Sequence, residues 1–399
     1  MTSEIQPAYS KQRIRYAVLS IFIAQGLCFA SWASRIPDIK DHLGITDTRI
    51  WGLILFLIPV GKFLAIPLAG YSVSKFGSRI MVQISILGYG LALFLIGLSA
   101  NIYILGACLV LFGIFWNLTD ISLNTQGIGI EKLFGKTIMA TFHGTWSLAA
   151  CLGALIGFAM INFEVIQTYH FAIIFAVIML VWAINKKYLQ EDEVENIKPE
   201  EVKETIQVKD KKFKMPEMVL LQLGLIGLFA LIVESAMFDW SSIYFESIVQ
   251  APPSLRVGFL VFMVMMTAGR FLTNFAYNKF GKKRTIQIAG CFIFIGMFVS
   301  GLFPSVIPCS IGFMLVGMGI SCIVPTIYSV VGEKSKTKTS IALTILSTIS
   351  FVGSLIAPLL IGYISHFRDM KYAYMVIGVV GALIVVVTTT TKAMNQEKK

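Results

Sequence analysis

Charge is what this sequence has least of. Asp, Glu, Lys and Arg make up 14% of its 399 residues, against about 25% in an ordinary globular domain. Residues 187–216 form the one long polar stretch, and 30 residues are too few for an appended sensor domain. The six cysteines (Cys28, Cys108, Cys151, Cys291, Cys309, Cys322) show neither metal-ligand spacing nor a pairing pattern. Neither a zinc site nor a disulfide framework is therefore expected. HExxH, GxSxG and protease-spaced aspartate pairs are missing, so nothing calls for an enzyme, a metal or a cofactor. Basic residues are not interleaved with aromatics, which argues against nucleic acid despite a net charge of +11.

What remains is apolar. Hydrophobic residues make up 56%, with 30 Phe, and mean hydropathy is +0.78. Only a bilayer hides that much apolar surface from water, so the chain reads as an all-α integral membrane protein. Apolar runs near 15–35, 50–71, 79–99, 102–128, 138–160, 168–186, 217–245, 255–277, 285–303, 306–330, 339–363 and 371–391 predict twelve transmembrane helices. "KQRIR" before the first run and "SWA" after it resemble a cleavable leader, but cleavage would leave eleven spans and spoil the charge alternation. With the first helix kept and both termini cytoplasmic, 25 of the 33 Lys and Arg fall inside and six outside. Lys62 and Arg270 lie within spans. That asymmetry is the positive-inside pattern.

The chain divides into a cytoplasmic tail (1–14), a six-helix half (15–186), a charged linker (187–216), a second six-helix half (217–391) and a short tail (392–399). "GYSVSKFGSR" (70–79) aligns with "NFAYNKFGKK" (274–283) at an offset of 204, and "AACLGALIG" (149–157) aligns more loosely with "GSLIAPLLI" (353–361) at the same offset. One shared offset implies a duplicated unit.

Gly70, Lys75, Phe76, Gly77 and Arg79 resemble the signature loop of the major facilitator superfamily (MFS), with Ser74 where that family usually has Asp. Glu131, at the end of the fourth span, is the carboxylate expected to serve the same basic cluster. "ASWASRIPDIKDHLG", "ISLNTQGIGIE", "FHGTWSL" and "ESAMFDWS" resemble the MosC/YbjJ-like branch, near the fucose permeases. The resemblance implies the MFS fold: two six-helix repeats around a midplane site that opens alternately to each side.

Within the fourth span, Gly113, Asn117, Asp120, Asn124, Gly127 and Glu131 form a row at helical spacing. A carboxylate at a helix centre costs about 2.5–3.5 kcal/mol on insertion scales, so it faces a cavity or a partner. Asn117 and Asn124 are expected as cavity wall. Asp120 is expected either as a proton-coupling or substrate group, or as a structural residue, for instance paired with Lys62.

Glu234 in the seventh span is the second coupling candidate, and Asp239 reads as a wetted helix end. His143 is either a proton shuttle or a packing partner. Gln25, Trp32, Trp146, Ser147 and Tyr328 are expected substrate-binding residues. Lys62, Gly70, Lys75, Gly77, Arg79, Glu131 and Arg270 are assigned to gating.

The leading function is proton-coupled transport of a small polar solute, such as a sugar or related compound. Proton-driven export of amphiphilic drugs and a non-transporting sensor are the alternatives. The expected partners are solute, protons and lipid, and the expected form is a monomer in a bacterial inner membrane.

Overall fold

The computed structural model describes residues 9–135, 138–190, 217–335, 339–391 and 394. Most of the expected linker lies outside them. The described residues are helical, with no strand. The first half contains α1 (Lys11–Ser34), α2 (Ile36–His42), α3 (Thr48–Leu55), α4 (Leu57–Phe76), α5 (Ser78–Gly97), α6 (Ile102–Phe134), α7 (Met139–Asn162) and α8 (Gln167–Asn185). The second contains α9 (Met218–Ser247), α10 (Gly258–Leu302), α11 (Val306–Lys334), α12 (Thr339–Phe367) and α13 (Met370–Thr390).

Two sequence boundaries shift. The second span is two helices, α3 and α4, which meet at Phe56. The fourth continues as α6 to Phe134, six residues past the expected end. It starts where the Asn101 side chain accepts from the N–H of Tyr103 and Ile104, and it stops at Gly135 in the left-handed region (φ 63°).

Helix α10, at 45 residues, would be about 67 Å long if straight, over twice a hydrocarbon core of about 30 Å. Gly281 breaks it, with φ 75° and ψ 160°, so its two limbs are separate spans. Counted this way, eleven long apolar helical runs give twelve crossings. Gly77, which separates α4 from α5, has φ 81° and ψ 155°. It lies 204 residues before Gly281. That backbone region is essentially restricted to glycine.

The helix seams repeat as well. A Cβ on Gly113 would collide with Ile58 O and approach Lys62 N; a Cβ on Gly317 would do the same to Phe262 O and Met266 N. All three pairs are separated by 204. The duplicated unit is therefore visible in backbone geometry at positions where the sequence match is faint. All six cysteines are free.

Candidate functional site

A cavity of about 280 Å³ lies between the halves. Helix α9 supplies Leu231, Glu234, Ser235 and Phe238, spaced i, i+3, i+4 and i+7, with Asp239 beside them. Helix α6 supplies Trp116 and Asp120, one turn apart. Lys62 comes from α4, His143 and Trp146 from α7, and Arg270 from α10. Phe22, Phe29 and Trp32 of α1, with Phe351 of α12, complete an aromatic girdle. Six ionisable side chains thus face one space from five helices, most of them near mid-helix.

The contacts explain how the charges are held. Lys62 Nζ sits 2.9 Å from the centroid of the Trp116 ring, a cation–π contact that grows stronger away from water. No ion pair reaches Lys62 among the described residues. Arg270 donates to Ser147 Oγ, lies 3.9 Å from Glu234 Oε1 and stands 6.0 Å from the Trp146 centroid. The Asp120 carboxylate accepts from Asn124 Nδ2 at 3.4 Å, one turn along α6. Gln25 of α1 is fully buried.

Of the residues expected from sequence, the cavity gathers Asp120, Glu234, His143, Trp32, Trp146, Lys62 and Arg270. The sequence assigns the last two to gating, yet they line the cavity. Others stand elsewhere. Asn117 Nδ2 donates to Lys62 O at 2.8 Å and ties α6 to α4. With Gly113 it belongs to a packing seam, so the polar row is only in part a cavity wall. Tyr328 bonds Ser347 at 2.6 Å within the second half and does not line the cavity. Ser147 lies behind the cavity as the acceptor for Arg270.

Glu131 accepts from the N–H of Ile138 and Met139, at 2.6 and 2.8 Å. It satisfies unpaired donors at the start of α7 rather than the expected basic cluster. In the signature loop, Lys75 Nζ meets Tyr71 OH at 2.9 Å, Arg79 donates to Lys187 O at 3.3 Å, and Gly70 has open space around its Cβ position.

Asp239 is the main residue that sequence reasoning misses. It lines the cavity and is not a wetted end residue. Its i+4 spacing from Ser235 is the available signal. Trp116, Phe29 and Phe238 escape because aromatic residues at helical spacing occur throughout this chain.

The bonds between the halves have a direction. Among the described residues they are Thr48 Oγ1 to Gly362 O (3.1 Å), Ser242 Oγ to Ala33 O (3.3 Å), Thr267 Oγ1 to Ser147 O (3.2 Å), Arg270 to Ser147, and His366 Nδ1 with Asp47 Oδ1 (3.3 Å). All lie at mid-helix or at the end opposite the Gly77 and Gly281 turns. Asp47 also caps α3, and the Arg49 guanidinium holds its carboxyl well below the usual carboxylate range.

Comparison with known proteins adds the lineage. The family model described as Major Facilitator Superfamily matches residues 17–340. An uncharacterized MFS-type transporter of Yersinia pestis is 27% identical over 98% of both chains. Membrane protein MosC of Rhizobium meliloti is 27% identical over 92% of this chain and 88% of its own. Among solved structures, a bacterial homolog of the human lysosomal transporter Spinster, in an inward-facing and occupied conformation, superposes with a TM-score of 0.74. It is 14% identical and covers 97% of this chain and 98% of its own. The nucleoside transporter NupG gives 0.70 at 11% identity, over 94% of this chain and 98% of its own.

Proposed function

This chain belongs to the Major Facilitator Superfamily and is a multi-pass membrane transporter, and from that premise we propose that it carries a small polar solute by alternating access, coupled to protons. The observation that carries the reading is the cavity between the halves. It sets three carboxylates, a lysine, an arginine and a histidine around about 280 Å³.

A net charge enclosed away from water is costly. A proton taken up by one carboxylate changes the charge that the closed cavity must hold, and so changes how readily the halves rock past each other. Moving that proton across the membrane potential supplies about 2.3 kcal/mol per 100 mV. Asp120 is the group assigned this role, with His143 and Glu234 as its relay partners. Trp116, Trp146 and Phe29 offer ring faces to the apolar face of a solute, while Lys62, Arg270 and Ser235 meet its polar groups.

By the positive-inside rule the basic loops at Gly77 and Gly281 favour a cytoplasmic position for that end, and with it for both termini. The bonds between the halves that lie at the other end among the described residues support reading this conformation as closed to the outside. The bacterial relatives fit an inner-membrane location.

The aromatic girdle also suits lipophilic cations, the second reading, although among the described residues no methionine lines the cavity. Protein reconstituted in vesicles around a pH-sensitive dye separates the two. Sugars, polyols, nucleosides, amino acids and lipophilic cations would be offered in turn. A polar solute should carry protons with it, and Asp120→Asn should abolish the proton signal. If lipophilic cations alone moved protons, polar-solute transport would be lost; if Asp120→Asn kept the signal, the coupling role of Asp120 would be lost.

A further inference from the structure

A second cavity, a groove of about 300 Å³, opens on the outer surface of the second half between the two limbs of α10 and α11. Leu272, Phe275, Phe280 and Ile288 line it and are exposed, facing where acyl chains lie. Its hydroxyls are already satisfied along their own helices: Thr273 donates to Gly269 O, Thr285 to Gly281 O and Ser321 to Met318 O, at 2.9, 2.8 and 2.6 Å. The groove therefore presents an apolar wall with no polar demand of its own, which suits a hydrocarbon chain.

The first half shows how this space arises. At the matched place, Ala65, Ala69, Met81 and Leu118 pack into a closed cluster with Ile114 and Phe115. The second half has Gly269, Thr273, Thr285, Cys322, Met318 and Gly319 at those positions, 204 residues on. Met becomes Thr and Leu becomes Cys, which removes side-chain volume from what is the groove wall in the second half.

The charge at the mouth differs in the same direction. In the first half, Lys75 Nζ is tethered by Tyr71 OH at 2.9 Å. Its mate Lys279 stands over Phe275 and Phe280, 5.8 and 5.4 Å from their centroids, and Phe275 has no hydroxyl to hold it. Arg284, one turn before Ile288 on the same face, replaces Ile80 of the first half. Lys279 and Arg284 are both exposed, and neither has a hydrogen-bond or ion-pair partner among the described residues.

We propose that this groove is a binding site for an anionic phospholipid, with an acyl chain along Leu272, Phe275 and Ile288 and the phosphate between Lys279 and Arg284. Two exposed cations with no hydrogen-bond or ion-pair partner among the described residues, at the head of an apolar slot, match both parts of that ligand, and the first half lacks this combination.

The test uses purified full-length protein, stripped of lipid and titrated with phosphatidylglycerol or phosphatidylcholine of identical chains. Retention is read by native mass spectrometry. Phosphatidylglycerol should be retained preferentially. Lys279→Gln with Arg284→Gln should lower its retention by about fivefold for each cation removed and leave phosphatidylcholine unaffected. Thr285→Met with Cys322→Leu, the first half's own residues, should fill the groove and lower both lipids. Glycerol 3-phosphate, a headgroup without chains, should not compete.

Equal retention of the two lipids by the wild type would overturn the proposal. So would undiminished phosphatidylglycerol in the charge variant, or displacement by glycerol 3-phosphate. The charge variant alters exposed side chains only and carries the test even if the groove-filling variant fails to fold.

Discussion

The two halves share a backbone plan and differ in what they place on it. Gly113 lets α6 approach Ile58 and Lys62 of α4, and Gly317 lets α11 approach Phe262 and Met266 of α10. Yet the first half carries Lys62, Asp120 and His143 where the second has Met266, Val324 and Ser347. The second half's charges come instead from Glu234, Asp239 and Arg270, whose mates in the first half are Ala30, Arg35 and Ile66. Arg35 lies at an outer helix end, bonded to Val165 O and paired with Asp38. At the Gly113/Gly317 seam duplication thus preserved a close approach that a single Cβ would break. The cavity-facing positions, where any side chain of suitable size packs, diverged into complementary sets.

The largest effect should come from breaking what is common to both. Gly113→Leu and Gly317→Leu each drive a side chain into a neighbouring backbone carbonyl that cannot move aside. Each should cost about 3 kcal/mol or more, seen as loss of a monodisperse peak on size exclusion. If only one of the two were damaging, the seams would not be equivalent and the shared plan would fail at its best-matched point.

A smaller and more selective effect should follow from giving one half the other's chemistry. Lys62→Met installs the residue of its mate, Met266. The substitution keeps most of the side-chain length and removes the cation over Trp116 that faces the three carboxylates. Breaking a buried charge set costs up to about 3–5 kcal/mol, and water in the cavity reduces that. The variant should fold, melt lower than wild type and fail to transport. Adding Asp120→Asn should recover part of the melting temperature without restoring transport. A Lys62→Met protein with unchanged melting and uptake would show that the first half's cation is incidental.

The halves are also unequally legible from sequence. Apolar run length sets the crossings because hydrocarbon thickness leaves little choice. The break at Gly281 follows from its match to Gly77. Asp120, Glu234, Lys62 and Arg270 stand out because charge in mid-span is costly enough to be conspicuous. Asp239 is lost because a carboxylate near a span end carries no such signal.

The polar row on α6 misleads for a different reason. Periodicity shows which residues share a face but not what that face meets. Gly113 and Asn117 meet the α4 backbone, Gly127 meets Met139 and Phe142 of α7, and only the stretch around Asp120 meets the cavity. The aromatic girdle is illegible, since 30 Phe supply helical spacings everywhere.

The smallest expected effect concerns where the halves touch. Asp47 serves three partners: the Arg49 backbone N–H at 2.8 Å, the Arg49 guanidinium at 2.8 Å, and His366 across the interface. Asp47→Asn keeps the helix cap, because Asn caps as well as Asp, and removes the charge that faces His366. Because Arg49 holds the Asp47 carboxyl below its ordinary value, its ionised form stabilises the start of α3 above the unfolded-state carboxyl range at about pH 3.9. That contribution is lost only as pH falls through the lower folded value, so an ionised Asp47 faces His366 across neutral and mildly acidic pH. Spin labels at the exposed Phe163 and Phe303, one on each half at this end, would report the separation. Asp47→Asn should add a population at longer distance at pH 7, and acidifying the wild type to pH 5 should not. If the distance distribution of Asp47→Asn matched wild type, the closure would rest on the other bonds between the halves, such as Thr48–Gly362 and Ser242–Ala33, and the Asp47–His366 contact would have no part in holding the halves together.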